Sequence, residues 1–207
     1  MYMDGGRPKF NYMIKRSRDY AVDWYYHVKT TKPVKLKEHD NKINYMYEPL
    51  PYKELDNLFR KYPFTKEDVF IDIGCGKGRV LLEASLHGCL NIYGIDISKE
   101  LIACAENNLK KYQKKKAEMQ YQLLCMNAKD FTFLSDINKV FIYNPFHIKI
   151  LIRVLKALAH SIEENPREVM LFLGGPENIL KYLDGIKNFK LISIEKSIHV
   201  YQYISNS

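Results

Sequence analysis

Residues 69–80 read Val-Phe-Ile-Asp-Ile-Gly-Cys-Gly-Lys-Gly-Arg-Val, and few folds accommodate such a string. An apolar run carrying one acid, Asp72, passes into glycines at 74, 76 and 78 and then into a helical pattern. That order spells strand, tight turn, helix. Glycine takes positive φ without penalty and lets a ligand approach the main chain closely. The helix that follows begins with backbone N–H groups that have no intrahelical partner. Asp72 and the loop would then stand at the carboxyl end of a strand, where open α/β sheets bind their ligands.

The remainder of the chain repeats the alternation. Further strands are expected at 91–97, 120–126, 139–143, 168–173, 189–194 and 199–204, with helices at 53–62, 77–87, 99–116, 148–162 and 177–183. Leu55, Leu58, Phe59 and Tyr62 fall on one helical face, and Pro63 stops that helix. Gly88 suits a helix end, and Ser98 suits a helix start as N-cap. The run Lys114-Lys115-Lys116 sits where a helix C-terminus favours cations, so it calls for no nucleic-acid partner. Strands alternating with helices mean a largely parallel α/β sheet, Rossmann-like and doubly wound, of about seven strands. The last strand, 199–204, is expected to be antiparallel.

Residues 1–46 lack this order. They are rich in Tyr and Lys and read as an N-terminal extension or lid, with residues 47–207 as the domain proper. Aromatics interleaved with lysines also suit base stacking, which is the alternative for this stretch. Residues 1–66 hold 14 of the 32 Lys and Arg but only 8 of the 24 Asp and Glu, so most of the net charge of +8 lies there. Such an excess favours anionic partners or simply a solvated lysine-rich surface. No apolar run reaches membrane-spanning length and no leader-like segment opens the chain, which points to a cytoplasmic protein. Cys75, Cys89, Cys104 and Cys125 have neither disulfide nor zinc spacing, so they are expected as buried, reduced side chains, and no metal site is expected.

The glycines run G-x-G-x-G, whereas dinucleotide folds use G-x-G-x-x-G. With Asp72 the string resembles motif I of class I S-adenosylmethionine-dependent methyltransferases, D-x-G-x-G-x-G. The resemblance implies that Asp72, Gly74, Cys75, Gly76 and Gly78 hold the methionine part of S-adenosylmethionine. Asp96 closes the second strand, placed to accept from ribose hydroxyls. Ile97 would lie against the adenine. Asn127 and Ala128 stand where the family commonly has an acid near the adenine amine, and an amide oxygen can accept from that group too. Tyr52 joins the cofactor set.

Asn144-Pro145-Phe146 ends the fourth strand and resembles, in shortened form, the D/N-P-P-Y/F motif of amino-group methyltransferases. By that resemblance Asn144 would touch the cofactor and orient the acceptor nitrogen, and Phe146 and Pro145 would pack on the acceptor. A strand-to-helix turn with proline in the first turn explains the same residues without chemistry. His147 is a candidate general base or a polar cap. Tyr47-Glu48-Pro49-Leu50-Pro51-Tyr52 resembles a segment of uncharacterised bacterial class I methyltransferases, with Tyr47 and Glu48 as substrate candidates. More distantly, residues 68–72 and the Asn144 turn resemble the non-SET histone lysine methyltransferases.

These readings converge on methyl transfer from S-adenosylmethionine to an acceptor nitrogen, a protein lysine or another amine. A protein or small-molecule acceptor is favoured and RNA stays open. Two rivals share parts of the pattern: a nicotinamide-dependent oxidoreductase, and a non-catalytic RNA- or protein-binding module on a methyltransferase fold.

Overall fold

A computed structural model describes residues 16–35, 46–47, 49–143, 148–175 and 188–203. Helix α1 (Ser17–Tyr25) comes first, then a short antiparallel pair, β1 (Val34–Lys35) and β2 (Met46–Tyr47). Helix α2 (Tyr52–Lys61) leads into the sheet. Its elements are β3 (Val69–Ile73), α3 (Arg79–Leu86), β4 (Asn91–Asp96), α4 (Lys99–Gln113), β5 (Gln120–Cys125), β6 (Lys139–Tyr143), α5 (Ile148–Glu164), β7 (Met170–Gly174), β8 (Phe189–Glu195) and β9 (Ile198–Tyr203).

The seven-stranded sheet runs β5-β4-β3-β6-β7-β9-β8. The first five strands in that order pair in parallel, and β9 is antiparallel to both β7 and β8. The expected antiparallel last strand is therefore last in the chain but lies inside the sheet. The chain winds outward from β3 through β4 to β5, then crosses back to β6 on the other side of β3. That reversal opens a crevice at the carboxyl ends of β3 and β6, the position for a ligand in such a sheet.

Alternation along the strands divides the core in two. Val69, Ile71 and Ile73 join Val140, Ile142, Leu171 and Leu173 under α5, whose Leu151, Val154, Leu155 and Leu158 face them. On the other side Phe70, Phe141 and Phe172 meet Leu55, Leu58 and Phe59 of α2. The Phe59 ring packs with its centroid 5.0–6.4 Å from those of Phe64, Phe70, Phe141 and Phe172. The helical face read from Leu55, Leu58 and Phe59 is thus the one that caps the sheet. Ser98 caps α4 as its spacing predicts, accepting from the Leu101 N–H at 3.3 Å.

The cysteines depart from expectation. Cys75 and Cys89 are buried, but Cys104 on α4 is half-buried, and Cys125 is exposed because it ends the edge strand β5. The helix expected at 177–183 lies outside the described residues. Among the described residues no helix is long and apolar enough to cross a membrane.

Candidate active site

The glycine loop takes the conformation its spacing demands. Gly74, Gly76 and Gly78 have φ of 92°, 55° and 79°. The N–H groups of Gly74 and Cys75 both donate to the Ile95 carbonyl, at 2.8 and 2.9 Å, which stitches the loop to the end of β4. Gly78 precedes α3 as its N-cap, and its own N–H closes the turn onto the Cys75 carbonyl at 2.8 Å.

Asp96 ends β4 and completes the loop. One carboxylate oxygen accepts from the Gly76 N–H at 2.9 Å and the other from the Ser98 N–H at 2.8 Å. Burial pushes its pKa up, and the hydrogen bonds from Ser98, Gly76 and Ile97 hold it back. A carboxylate offers about four acceptor sites, so hydroxyls of a ribose can still be accommodated. Ile97, the next residue, is 65% exposed, an apolar side chain left open beside that acid.

Asp72 sits at the end of β3 and is 3% exposed. Its carboxylate has no hydrogen-bond partner among the described residues, and burial, then the charge of Asp96, drives its pKa well above the ordinary range. A buried acid in this state lacks a counter-charge. The ammonium of a bound amino acid is the complementary group. Asp72, the loop, Asp96 and Ile97 therefore fit the methionine, ribose and adenine ends of S-adenosylmethionine.

Cys75 lies within the loop. Its thiol is buried against Gly94, and burial, then the charges of Asp72 and Asp96, raise its pKa far enough to keep it protonated. Asn127 is half-buried and caps a 3₁₀ turn (Ala128–Asp130) by accepting from the Lys129 N–H at 3.2 Å, and Ala128 packs against the core. Tyr47 lies directly on the loop: a Cβ on Gly76 would stand 2.3 Å from its ring. Its hydroxyl donates to the Thr30 carbonyl at 3.0 Å. Tyr52, expected beside the cofactor, is instead 2% exposed within a polar network, because its hydroxyl meets Thr30 Oγ1 at 3.1 Å and Asp23 Oδ1 at 3.4 Å. Glu48, Asn144, Pro145, Phe146 and His147 lie outside the described residues.

That network is what the sequence reading missed. Arg79, the first residue of α3, is 2% exposed. Its guanidinium donates to Thr30 Oγ1 (2.9 Å), Thr31 Oγ1 (2.6 Å), Asp19 Oδ2 (2.8 Å) and the Leu50 carbonyl (2.8 Å), and lies 4.3 Å from the centroid of the Tyr52 ring. Asp23 accepts from the N–H groups of Thr30 and Thr31 and from the Thr30 hydroxyl. Asn108 joins Lys29 to Lys77, accepting from the Lys29 N–H at 2.9 Å and donating to the Lys77 carbonyl at 3.0 Å. The N-terminal segment is thereby fastened to the helix that leaves the glycine loop. One signal was available: Asp19 and Asp23, four apart, share a helix face.

A cavity of about 410 Å³ opens beside Tyr143 at the carboxyl end of β6, lined by Arg16, Pro49, Pro51, Glu54, Lys196 and Ser197 among others, with Lys196 and Glu54 paired at 3.3 Å. The Tyr143 ring occupies the place a Cβ of Gly174 would take, 2.2 Å away, so glycine at the end of β7 lets the ring lie there.

Sheet order, loop and paired acids define a class I S-adenosylmethionine-dependent methyltransferase, and comparison with known proteins agrees. The chain belongs to the family described as "Histone methylation protein DOT1", which matches residues 25–154. It is 30% identical over 148 residues to a protein of Methanococcus vannielii described as a probable cobalt-precorrin-6B C(15)-methyltransferase (decarboxylating), covering 70% of this chain and 76% of that one. Other relatives of that description align over about half their length. A histone-lysine N-methyltransferase of Eremothecium gossypii, H3 lysine-79 specific, is 31% identical over 39% of this chain but only 14% of its own. In structure, the magnesium protoporphyrin IX methyltransferase of Synechocystis PCC 6803 with bound S-adenosylmethionine superposes with a TM-score of 0.53 at 14% identity, over 92% of this chain and 95% of that one. The protein is a methyltransferase that uses S-adenosylmethionine.

Proposed function

We propose that the acceptor is an amine, most simply a lysine side chain of a protein. The observation that carries this reading is the cavity at Tyr143. It adjoins the residue that precedes Asn144, its walls include Pro49 and Pro51, and its one carboxylate, Glu54, is held by Lys196 at 3.3 Å, a pair that an incoming amine would exchange with. At about 410 Å³ it suits a slim chain better than a tetrapyrrole macrocycle. The family match supports the same reading, since it extends across residues 144–147. In this reading Asn144 orients the nitrogen, Phe146 and Pro145 pack on the acceptor, and His147 takes the proton. Residues 1–46 form the wall or lid on the acceptor side, with Arg79 holding the part around residues 16–31. Because the sulfonium carries its own leaving group, alignment of the acceptor supplies much of the acceleration.

The Methanococcus relative favours a second reading, methylation of a small molecule at carbon. Tritium-labelled S-adenosylmethionine separates the two. Label entering basic proteins, with methyl-lysine found by mass spectrometry and lost in Asn144→Ala, supports the amine. Label entering only a corrinoid precursor, with release of carbon dioxide, overturns it.

A further inference from the structure

Trp24, the chain's one tryptophan, is 76% exposed on the last turn of α1, and Tyr25 beside it is 58% exposed. Large aromatic rings are seldom left in water without a partner to meet. A cavity of about 430 Å³ opens next to the indole, lined by Tyr20, Lys29, Lys32, Lys77 and Asn107 among others. Helix α4 forms the facing wall through Cys104, Asn107 and Asn108. Lys111 and Lys115 continue that face at helical spacing. Lys115 reaches α1 itself: its ammonium stands 4.2 Å from the centroid of the Tyr25 ring and donates to the Tyr25 carbonyl at 2.5 Å.

Folding thus places the lysine run that closes α4 against the basic N-terminal segment. Three acids lie nearby. Asp23 lines the cavity, with its oxygens turned to Thr30 and Thr31, and it and Glu100 act on Lys77 at the inner end, away from Lys111 and Lys115. Glu106 is paired with Lys110 at 3.1 Å. An exposed indole beside an opening, with ammonium groups leading away, supplies the elements by which single strands are held.

We propose that the groove between α1 and α4 binds single-stranded nucleic acid, one base stacking on Trp24 and the phosphates following Lys29, Lys32, Lys111 and Lys115. The groove adjoins the glycine loop through Lys77, and it does not depend on which acceptor is methylated.

Because no other tryptophan is present, fluorescence excited at a wavelength selective for tryptophan over the 16 tyrosines reports this groove. The full chain is titrated with a twelve-nucleotide oligouridylate at several salt concentrations, with labelled-RNA anisotropy in parallel. The expected result is saturable quenching, with log affinity falling against log salt at a slope of about −3, as four phosphate contacts on a single strand require. Trp24→Ala is expected to weaken the anisotropy-detected affinity at least fivefold, and the double variant Lys111→Glu, Lys115→Glu to flatten the slope. Retained thermal stabilisation by S-adenosylhomocysteine shows that each variant is folded. Absence of quenching, equal quenching by polyglutamate, or affinity unchanged in both variants overturns the proposal.

Discussion

Arg79 and Asp19 stand 60 residues apart in sequence and form a buried ion pair, Nη1 to Oδ2 at 2.8 Å, that joins the helix leaving the glycine loop to the first described helix. Asp19 also accepts from Arg16 at 2.6 Å and from the Tyr52 N–H at 2.9 Å. Removing one partner of a buried pair strands the other charge, at a cost of about 3–5 kcal/mol. Asp19→Asn is therefore predicted to lower stability by an amount in that range, measured by urea denaturation. A loss under 1 kcal/mol would mean that the pair contributes little to fastening the N-terminal segment.

Gly76 cannot carry a side chain. Its φ of 55° disfavours one, and a Cβ would meet the Tyr47 ring at 2.3 Å. Gly76→Ala is predicted to abolish detectable S-adenosylhomocysteine binding by calorimetry. Adding Tyr47→Ala removes the clash but not the strain, so stability is expected to recover in part while binding stays weak. Full recovery of binding in the double variant would show that the ring alone sets the requirement.

Asp96→Asn keeps the shape of the loop but loses the charge that the Gly76 and Ser98 N–H groups now meet. Hydrogen bonds to charged groups contribute about 1.5–3 kcal/mol each. Affinity for S-adenosylhomocysteine is predicted to drop by about ten- to a hundredfold. An unchanged dissociation constant would remove Asp96 from the cofactor site.

Asp72 is predicted to show opposite effects on stability and binding. Its folded pKa is raised, by burial first and by Asp96 second, so its ionised form is the disfavoured one in the ligand-free protein. Stability should fall as pH rises from the ordinary carboxylate range through that raised value. Asp72→Asn removes the penalty, so the ligand-free melting temperature at neutral pH should rise by a few degrees, about 1 kcal/mol or more for a domain of this size. The gain should vanish at acid pH, where the native side chain is protonated. Cofactor binding should weaken in the same variant, and a lowered melting temperature at neutral pH would contradict the assignment.

Asp68 has the opposite sign. Burial alone would raise its pKa, but hydrogen bonds from the Thr65 N–H, Lys139 and Asn138 bring it below the ordinary value. Its contribution is complete above the unfolded carboxylate pKa of about 3.9 and disappears as pH falls through the folded value. Asp68→Asn should destabilise at neutral pH and matter progressively less towards pH 2, as thermal melts across that range would show.

The order of strands and helices, the glycine loop and Asp96 were legible in the sequence because each is a local event. Alternating apolar residues must face a core, glycines at 74, 76 and 78 must turn the chain, and an acid ending a strand must face the opening beyond it. Leu55, Leu58 and Phe59 announced the capping face of α2 by spacing alone. Arg79, Asp19, Asp23, Thr30 and Thr31 announced nothing, since polar side chains in short or irregular segments follow no period and find their partners only when distant segments meet. The resemblance of residues 47–52 put Tyr52 in the cofactor set, whereas the structure buries it beneath Arg79 in that network. The lysines at 114–116 read as a helix end in sequence; only packing of α4 against α1 set Lys115 beside Tyr25 and made a groove of them. Local chemistry determined the glycine loop and the acid that completes it, and long-range packing of charge and aromatic surface decided what surrounds them.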